Sequence, residues 1–142
     1  ILNFLSSCEY KPIYSSSNKS NYQIIITDLS GDKKLNKYII ENLKRNSQKD
    51  SVKIVSIKIN SVYSKVIIAK NTLGLTTDYQ ARAIAEFEIN KNKITQKLVV
   101  DEKFNYQKIS DSYEEKSYEQ IIKSNLASSI SQKLIQRLSI IK

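Results

Sequence analysis

The 142 residues include no histidine and one cysteine, and 23 Lys and Arg stand against 14 Asp and Glu for a formal charge of +9. Histidine general bases, histidine metal sites and internal disulfides are thereby excluded, and two glycines cannot build a phosphate loop or a dinucleotide-binding turn. The charge admits an anionic partner such as nucleic acid, phosphorylated lipid or an acidic membrane surface, discounted because only Arg45, Arg82 and Arg137 offer the planar fork that grips phosphate bidentately.

At the amino end, Leu5-Ser6-Ser7-Cys8 follows a short apolar run of Ile1, Leu2, Phe4 and Leu5. A branched aliphatic three places before a cysteine, with small residues between, is what a lipoprotein signal peptidase groove accepts, since bulk there would block the scissile bond. The spacing predicts residues 1–7 as the remainder of a signal peptide and Cys8 as a lipidated first mature residue, with a buried or free cysteine as the competing reading. Glu9, rather than an aspartate, at the second mature position fits an outer-membrane destination. Residues 8–21 then form a tether, because Ser15 to Asn21 (SSSNKSN) has nothing to bury. No later run approaches the roughly 18 apolar residues of a membrane-spanning helix, so membrane attachment is expected through the lipid alone.

Residues 22–142 are expected to form one domain. Tyr22 to Thr27 (YQIIIT) is a β-branched strand, Asp28 to Asp32 (DLSGD) reads as a turn, and Asp32 is placed to cap a helix from Lys33 to about Gln48. That helix is amphipathic, with Leu35, Ile39 and Leu43 at four-residue spacing. Ser51 to Lys70 is β-rich with imperfect alternation: either one strand with a bulge near Asn60-Ser61, or two strands. After a turn at Asn71 to Gly74, Tyr79, Ala81, Ala83, Ala85, Phe87 and Ile89 alternate with polar residues, the clearest strand in the chain. Asn90 to Lys93 makes a tight hairpin into a return strand that carries Ile94, Gln96, Leu98, Val100, Phe104 and Tyr106 to about Gln107. Ser112-Tyr113-Glu114-Glu115 fits a capping box, and Tyr118, Ile122, Leu126, Ile130, Leu134, Leu138 and Ile141 stripe the last helix. The expected fold is an α+β two-layer sandwich: a mainly antiparallel twisted sheet of about four strands, with two helices packed on one face.

No metal ligand spacing, cofactor motif or catalytic constellation appears. Glu86 with Glu88, and Asp101 beside Glu102, read as solvated strand charges. Nine tyrosines stand against three phenylalanines. Tyr79 and Tyr118 fall on core faces, whereas Tyr10, Tyr14 and Tyr113 are the candidates for contact with a protein partner.

With these elements placed, the chain resembles the outer-membrane lipopolysaccharide-assembly lipoprotein family, most of all its alphaproteobacterial branch. The residues that carry the resemblance are Cys8-Glu9-Tyr10-Lys11-Pro12-Ile13-Tyr14, the strand Thr77 to Ala83 (TDYQARA), and Ser112-Tyr113, Ser117-Tyr118, Asn125 to Ile130 (NLASSI) and Gln136-Arg137-Leu138. Glu9-Tyr10 departs from the family's Gly-Phe, keeping the aromatic and losing a flexible joint. The resemblance implies a non-catalytic, lipid-anchored protein on the periplasmic side of the outer membrane. Such a protein plugs the lumen of the lipopolysaccharide translocon β-barrel, aids that barrel's assembly and binds lipopolysaccharide. No cofactor and no nucleic acid are expected. A basic surface suits the phosphates of lipid A, and an apolar sheet face or strand edge could meet acyl chains. Arg82, Lys91, Lys93 and Lys97 are the lipopolysaccharide candidates, chosen for their position around the hairpin. Two other readings stay open: another periplasm-facing lipoprotein adaptor, such as a secretin pilot or lipid carrier, and, ranked last, a basic nucleic-acid-binding domain, whose stacking aromatics are not grouped beside the basic residues.

Overall fold

The computed structural model describes residues 21–141. Its elements run β1 (Gln23–Gly31), α1 (Lys33–Asn46), β2 (Ile54–Lys70), β3 (Thr76–Lys91), β4 (Ile94–Gln107) and α2 (Ser112–Ile140). The strands form one sheet in the order β1-β2-β3-β4. β1 is parallel to β2, as its helical crossover α1 requires, and the other two pairings are antiparallel hairpins. Both helices pack on one face of the sheet, α1 over β1 and β2, α2 over β3 and β4. The expected α+β two-layer sandwich is thus what the chain forms.

The core is the layer between helices and sheet. α1 contributes Leu35, Ile39 and Leu43, and α2 contributes Ile122, Leu126, Ile130, Leu134 and Leu138, all buried. From β3, Ala81, Ala83 and Ala85 are fully buried, and these small side chains let α2 approach the sheet while Phe87 and Ile89 fill the wider space beyond them. α1 opens as expected: the Asp32 carboxylate accepts the backbone N–H of Leu35 at 2.7 Å.

Three local expectations are corrected. Asp28 to Ser30 is strand, because β1 keeps pairing with β2 through Ser30 opposite Asn60 and ends only at Gly31. Ser51 to Lys70 holds a single strand, and pairing with β3 is unbroken at Asn60 and Ser61; the irregularities fall at Ile67 to Lys70, with another in β1 between Ile26 and Asp28. What disturbs the apolar alternation at Ser61 is a buried polar contact: its hydroxyl donates to Asn36 Oδ1 at 2.7 Å, and the Asn36 amide donates to the Ser30 carbonyl at 2.9 Å. The last helix is capped by Asp111, whose carboxylate accepts the Glu114 N–H at 2.9 Å, so Ser112 is the first helical residue. Phe104 lies on the helix side of β4, the edge strand, and is 45% exposed.

Candidate functional site

The four basic residues singled out around the β3–β4 hairpin do not converge. Lys93 sits in the hairpin turn with Asn92, both at positive φ (65° and 51°), and is exposed. Lys91 turns to the helix side, where its ammonium donates to Tyr22 Oη at 2.6 Å and to the Ile141 carbonyl at 3.0 Å, lying 4.6 Å from the Tyr22 ring centre. A cation on the last carbonyls of α2 satisfies acceptors that the helix itself leaves open. Lys97 lies on the opposite, outer face of the sheet, in a basin of about 400 Å³ that also takes in Lys58, Asp28, Glu86 and Glu88. With three carboxylates against two lysines, that basin is not an anion trap. Arg82, further along the same face, grips Asp101 bidentately at 2.9 and 2.5 Å, which holds the Asp101 carboxyl below its ordinary range and the guanidinium above it. Cys8, Tyr10 and Tyr14 lie outside the described residues. Tyr113 is in the first turn of α2 and 78% exposed.

A second cluster sits where α2 begins. The Lys65 ammonium bonds to Glu115 at 3.0 Å and to Glu119, and lies 4.0 Å from the Tyr79 ring centre. Tyr106 donates to Glu119 at 3.1 Å and packs between Tyr79 and Tyr118, with ring centres 5.6 and 5.8 Å away. Carboxylates in the first turns also meet the positive end of the helix dipole. Burial alone would lower the Lys65 pKa, but the two carboxylates outweigh it and push the pKa up. Burial, with Glu119 beside it, raises that of Tyr106. These two groups therefore do not exchange protons near neutrality, and the cluster clamps α2 to β2 and β4.

One member of the clamp titrates in acid. Burial raises the Glu115 carboxyl pKa but is outweighed by the Lys65 hydrogen bond and by the Ile109 N–H, which donates at 3.0 Å, so the pKa ends below its usual value. A depressed carboxylate contributes stability that is whole above the unfolded-state pKa and is lost as pH falls through the folded one. Urea midpoints measured from pH 6 to pH 3 should therefore fall more steeply for the wild type than for Glu115→Gln, with the two curves parallel above about pH 5.5.

The surface that the sequence reading missed is the far end of the β2–β3 hairpin. Val66, Ile67, Ile68, Leu73 and Leu75 are all exposed, Leu73 at 82%. Val66 pairs with Gln80 and Ile67 with Tyr79, so this end is apolar on both faces of the sheet. The turn that carries it is well built: Asn71 Oδ1 accepts the N–H groups of Leu73 and Leu75, each at 3.0 Å, and Gly74 takes φ +78°. β4 ends alongside, with Lys108 N–H donating to the Thr77 carbonyl at 2.8 Å, which brings the start of α2 and Tyr113 to the same end. A rigid turn holding large apolar side chains in water marks a contact surface. The signal was the run Val66-Ile67-Ile68-Ala69, where alternation stops because neither face is covered.

No protein-family model matches the chain, and comparison with curated protein sequences also finds no match. Solved structures share its fold. Rare lipoprotein B from Shewanella oneidensis superposes with a TM-score of 0.61 at 13% identity, over 80% of this chain and 94% of that one. Lipoprotein B from Nitrosomonas europaea gives 0.54 at 8% identity, over 89% and 90%. A minor lipoprotein from Acinetobacter baumannii gives 0.51 at 17% identity, over 78% and 93%.

Proposed function

We propose that this protein is a non-catalytic lipoprotein, anchored through Cys8 on the periplasmic side of the outer membrane, that partners and plugs a lipopolysaccharide-assembly β-barrel, assists its assembly and binds lipopolysaccharide during export. The observation that carries the reading is the correspondence of fold with bacterial lipoproteins, which takes in nearly the whole of rare lipoprotein B. The Leu5-Ser6-Ser7-Cys8 pattern supports the anchor. The apolar end of the β2–β3 hairpin, with Tyr113 beside it, supplies the kind of surface a permanent protein partner covers, since apolar and aromatic side chains dominate the centre of such interfaces. Of the hairpin cations, Lys93 is exposed at the turn, Lys97 lies among carboxylates, and Lys91 and Arg82 are held by partners within the chain.

The test is purification from the native outer membrane in mild detergent, followed by intact mass and identification of co-purifying proteins. The expected result is a chain that begins at Cys8 with a diacyl or triacyl increment and brings down a large lipopolysaccharide-assembly barrel. Cys8→Ser should remove the increment and release the protein from the membrane fraction, and Leu73→Asp should reduce recovered barrel by about tenfold or more. An unmodified Cys8 or a monomer recovered alone would overturn the reading. A secretin in place of the transport barrel would redirect it to a pilot lipoprotein.

A further inference from the structure

Along the β1 edge of the sheet, β1 and α1 leave among the described residues a groove that none of the surfaces above uses. One part, of about 690 Å³, lies between Leu29 and Ile40. A second, of about 510 Å³, continues over Ile24, Ile26, Thr27, Asp28 and Leu43 and shares Leu29, Ile40 and Lys44 with the first. Volumes of this size are those of small-molecule sites. The apolar floor depends on the irregularity in β1: past it, Asp28 pairs with Lys58 on the outer face while Leu29 pairs with Ile59 on the helix face. With regular alternation, Asp28 would follow Ile24 and Ile26 onto the helix face; the irregularity leaves it instead at the margin of the second part.

The rim is cationic. Lys33 and Lys37 are one helical turn apart and Lys44 lies two turns beyond, so all three ride the same side of α1. Other basic side chains, those of Lys58, Lys65, Arg82, Lys123 and Lys133, sit in ion pairs. Lys33, Lys37 and Lys44 make no side-chain ion pair or hydrogen bond among the described residues; Glu41 shares their rim, and Asp28 lies at the margin of the second part. Three ammonium groups against two carboxylates, above a mainly apolar floor, are complementary to an amphiphile with an acyl chain and an anionic head. The alternative of a strand added to the β1 edge is disfavoured because the bulge interrupts the ladder that such a strand would extend.

We infer that the groove between β1 and α1 holds the acyl chain of a single phosphate-bearing lipid, with Lys33 and Lys37, one helical turn apart, on the phosphate and Lys44, about 10 Å further along the rim, adding longer-range attraction. The inference gives the lipid contact of the proposed function a location, and rests on that reading only for the lipid being lipopolysaccharide. The probe is therefore a simpler one: myristoyl lysophosphatidic acid, titrated below its micelle concentration into the full chain and followed by calorimetry. Lysophosphatidylcholine with the same chain, and glycerol phosphate, serve as comparisons. One molecule of lysophosphatidic acid should bind per protein, with both comparison compounds weaker by about tenfold or more. The triple variant Lys33→Gln, Lys37→Gln, Lys44→Gln should lose about tenfold in affinity, as should Ile40→Asn, while Lys34→Gln with Lys49→Gln binds as the wild type does. All these positions but Ile40 are exposed, so the lysine variants keep their fold and their circular dichroism. No binding, equal binding of glycerol phosphate, an unaffected triple variant, or dimerisation in place of lipid uptake would each overturn the assignment. Barrel co-purification does not enter this assay, so the two proposals fail separately.

Discussion

Gly31→Ala should destabilise the protein by about 4 kcal/mol, combining roughly 1–3 kcal/mol for a side chain forced to positive φ with roughly 1–3 kcal/mol for overpacking. Gly31 closes β1 at φ +91°, and a Cβ built there would lie 1.8 Å from the Ser61 carbonyl oxygen. That oxygen belongs to the central strand β2 and accepts the Asp32 N–H at 3.0 Å, so relief of the clash would pull on the cap of α1 as well. Gly74 is the internal control. It also takes positive φ, at +78°, but nothing stands within 4 Å of its added Cβ, and Gly74→Ala should cost only about 1 kcal/mol. Urea midpoints of the two variants, compared at constant slope, test the difference. Equal losses would mean that the close approach of β1 to Ser61 contributes nothing.

Phe87→Ala should cost about 3–5 kcal/mol, lowering the thermal midpoint by roughly 10–20 °C. The ring is 1% exposed, opposite Ile59 on one neighbouring strand and Leu98 on the other, in the widest part of the layer beyond the three alanines. Phe104 provides the contrast, an aromatic on the same side of the sheet but 45% exposed at the edge. Phe104→Ala should cost only about 1 kcal/mol, in proportion to the area it keeps from water. A thermal scan showing similar losses for both would contradict the placement of the core.

What the sequence disclosed follows the range over which each signal acts. Asp32 as a cap, the Leu35, Ile39 and Leu43 stripe, and the alanine strand from Ala81 to Ala85 are set by residues within a few positions of one another, and all three are as expected. Expectations failed where a distant partner decides. Asp28 to Ser30 has turn chemistry, but pairing with Lys58 to Asn60 overrides it. Ser61 reads as an interruption because Asn36, which satisfies its hydroxyl, is 25 residues away. Asp111 and Ser112 are both good caps, and Glu115 is spoken for by Lys65 and the Ile109 N–H, which leaves the cap to Asp111. At the candidate sites, Lys91 resembled its hairpin neighbours until the carbonyl end of α2 arrived beside it, 50 residues on. The groove under Lys33, Lys37 and Lys44 was not legible in the sequence, because its floor depends on which side of a bulge Leu29 falls.

The parallel pairing of β1 with β2 also has a mechanical consequence. Gln23 pairs with Ile54 at one end of β2, and Lys70 leads into the apolar turn at the other. At about 3.3 Å per residue, the 17 residues of β2 separate those ends by roughly 55 Å, nearly twice the ~30 Å hydrocarbon depth of a bilayer. Tension applied between the chain ahead of Gln23 and the hairpin turn would run along the strands, loading the β1–β2 ladder in shear so that its hydrogen bonds resist together instead of opening one after another. The sheet is in that sense a stiff strut, suited to bearing load between a hold at one end and a grip at the other.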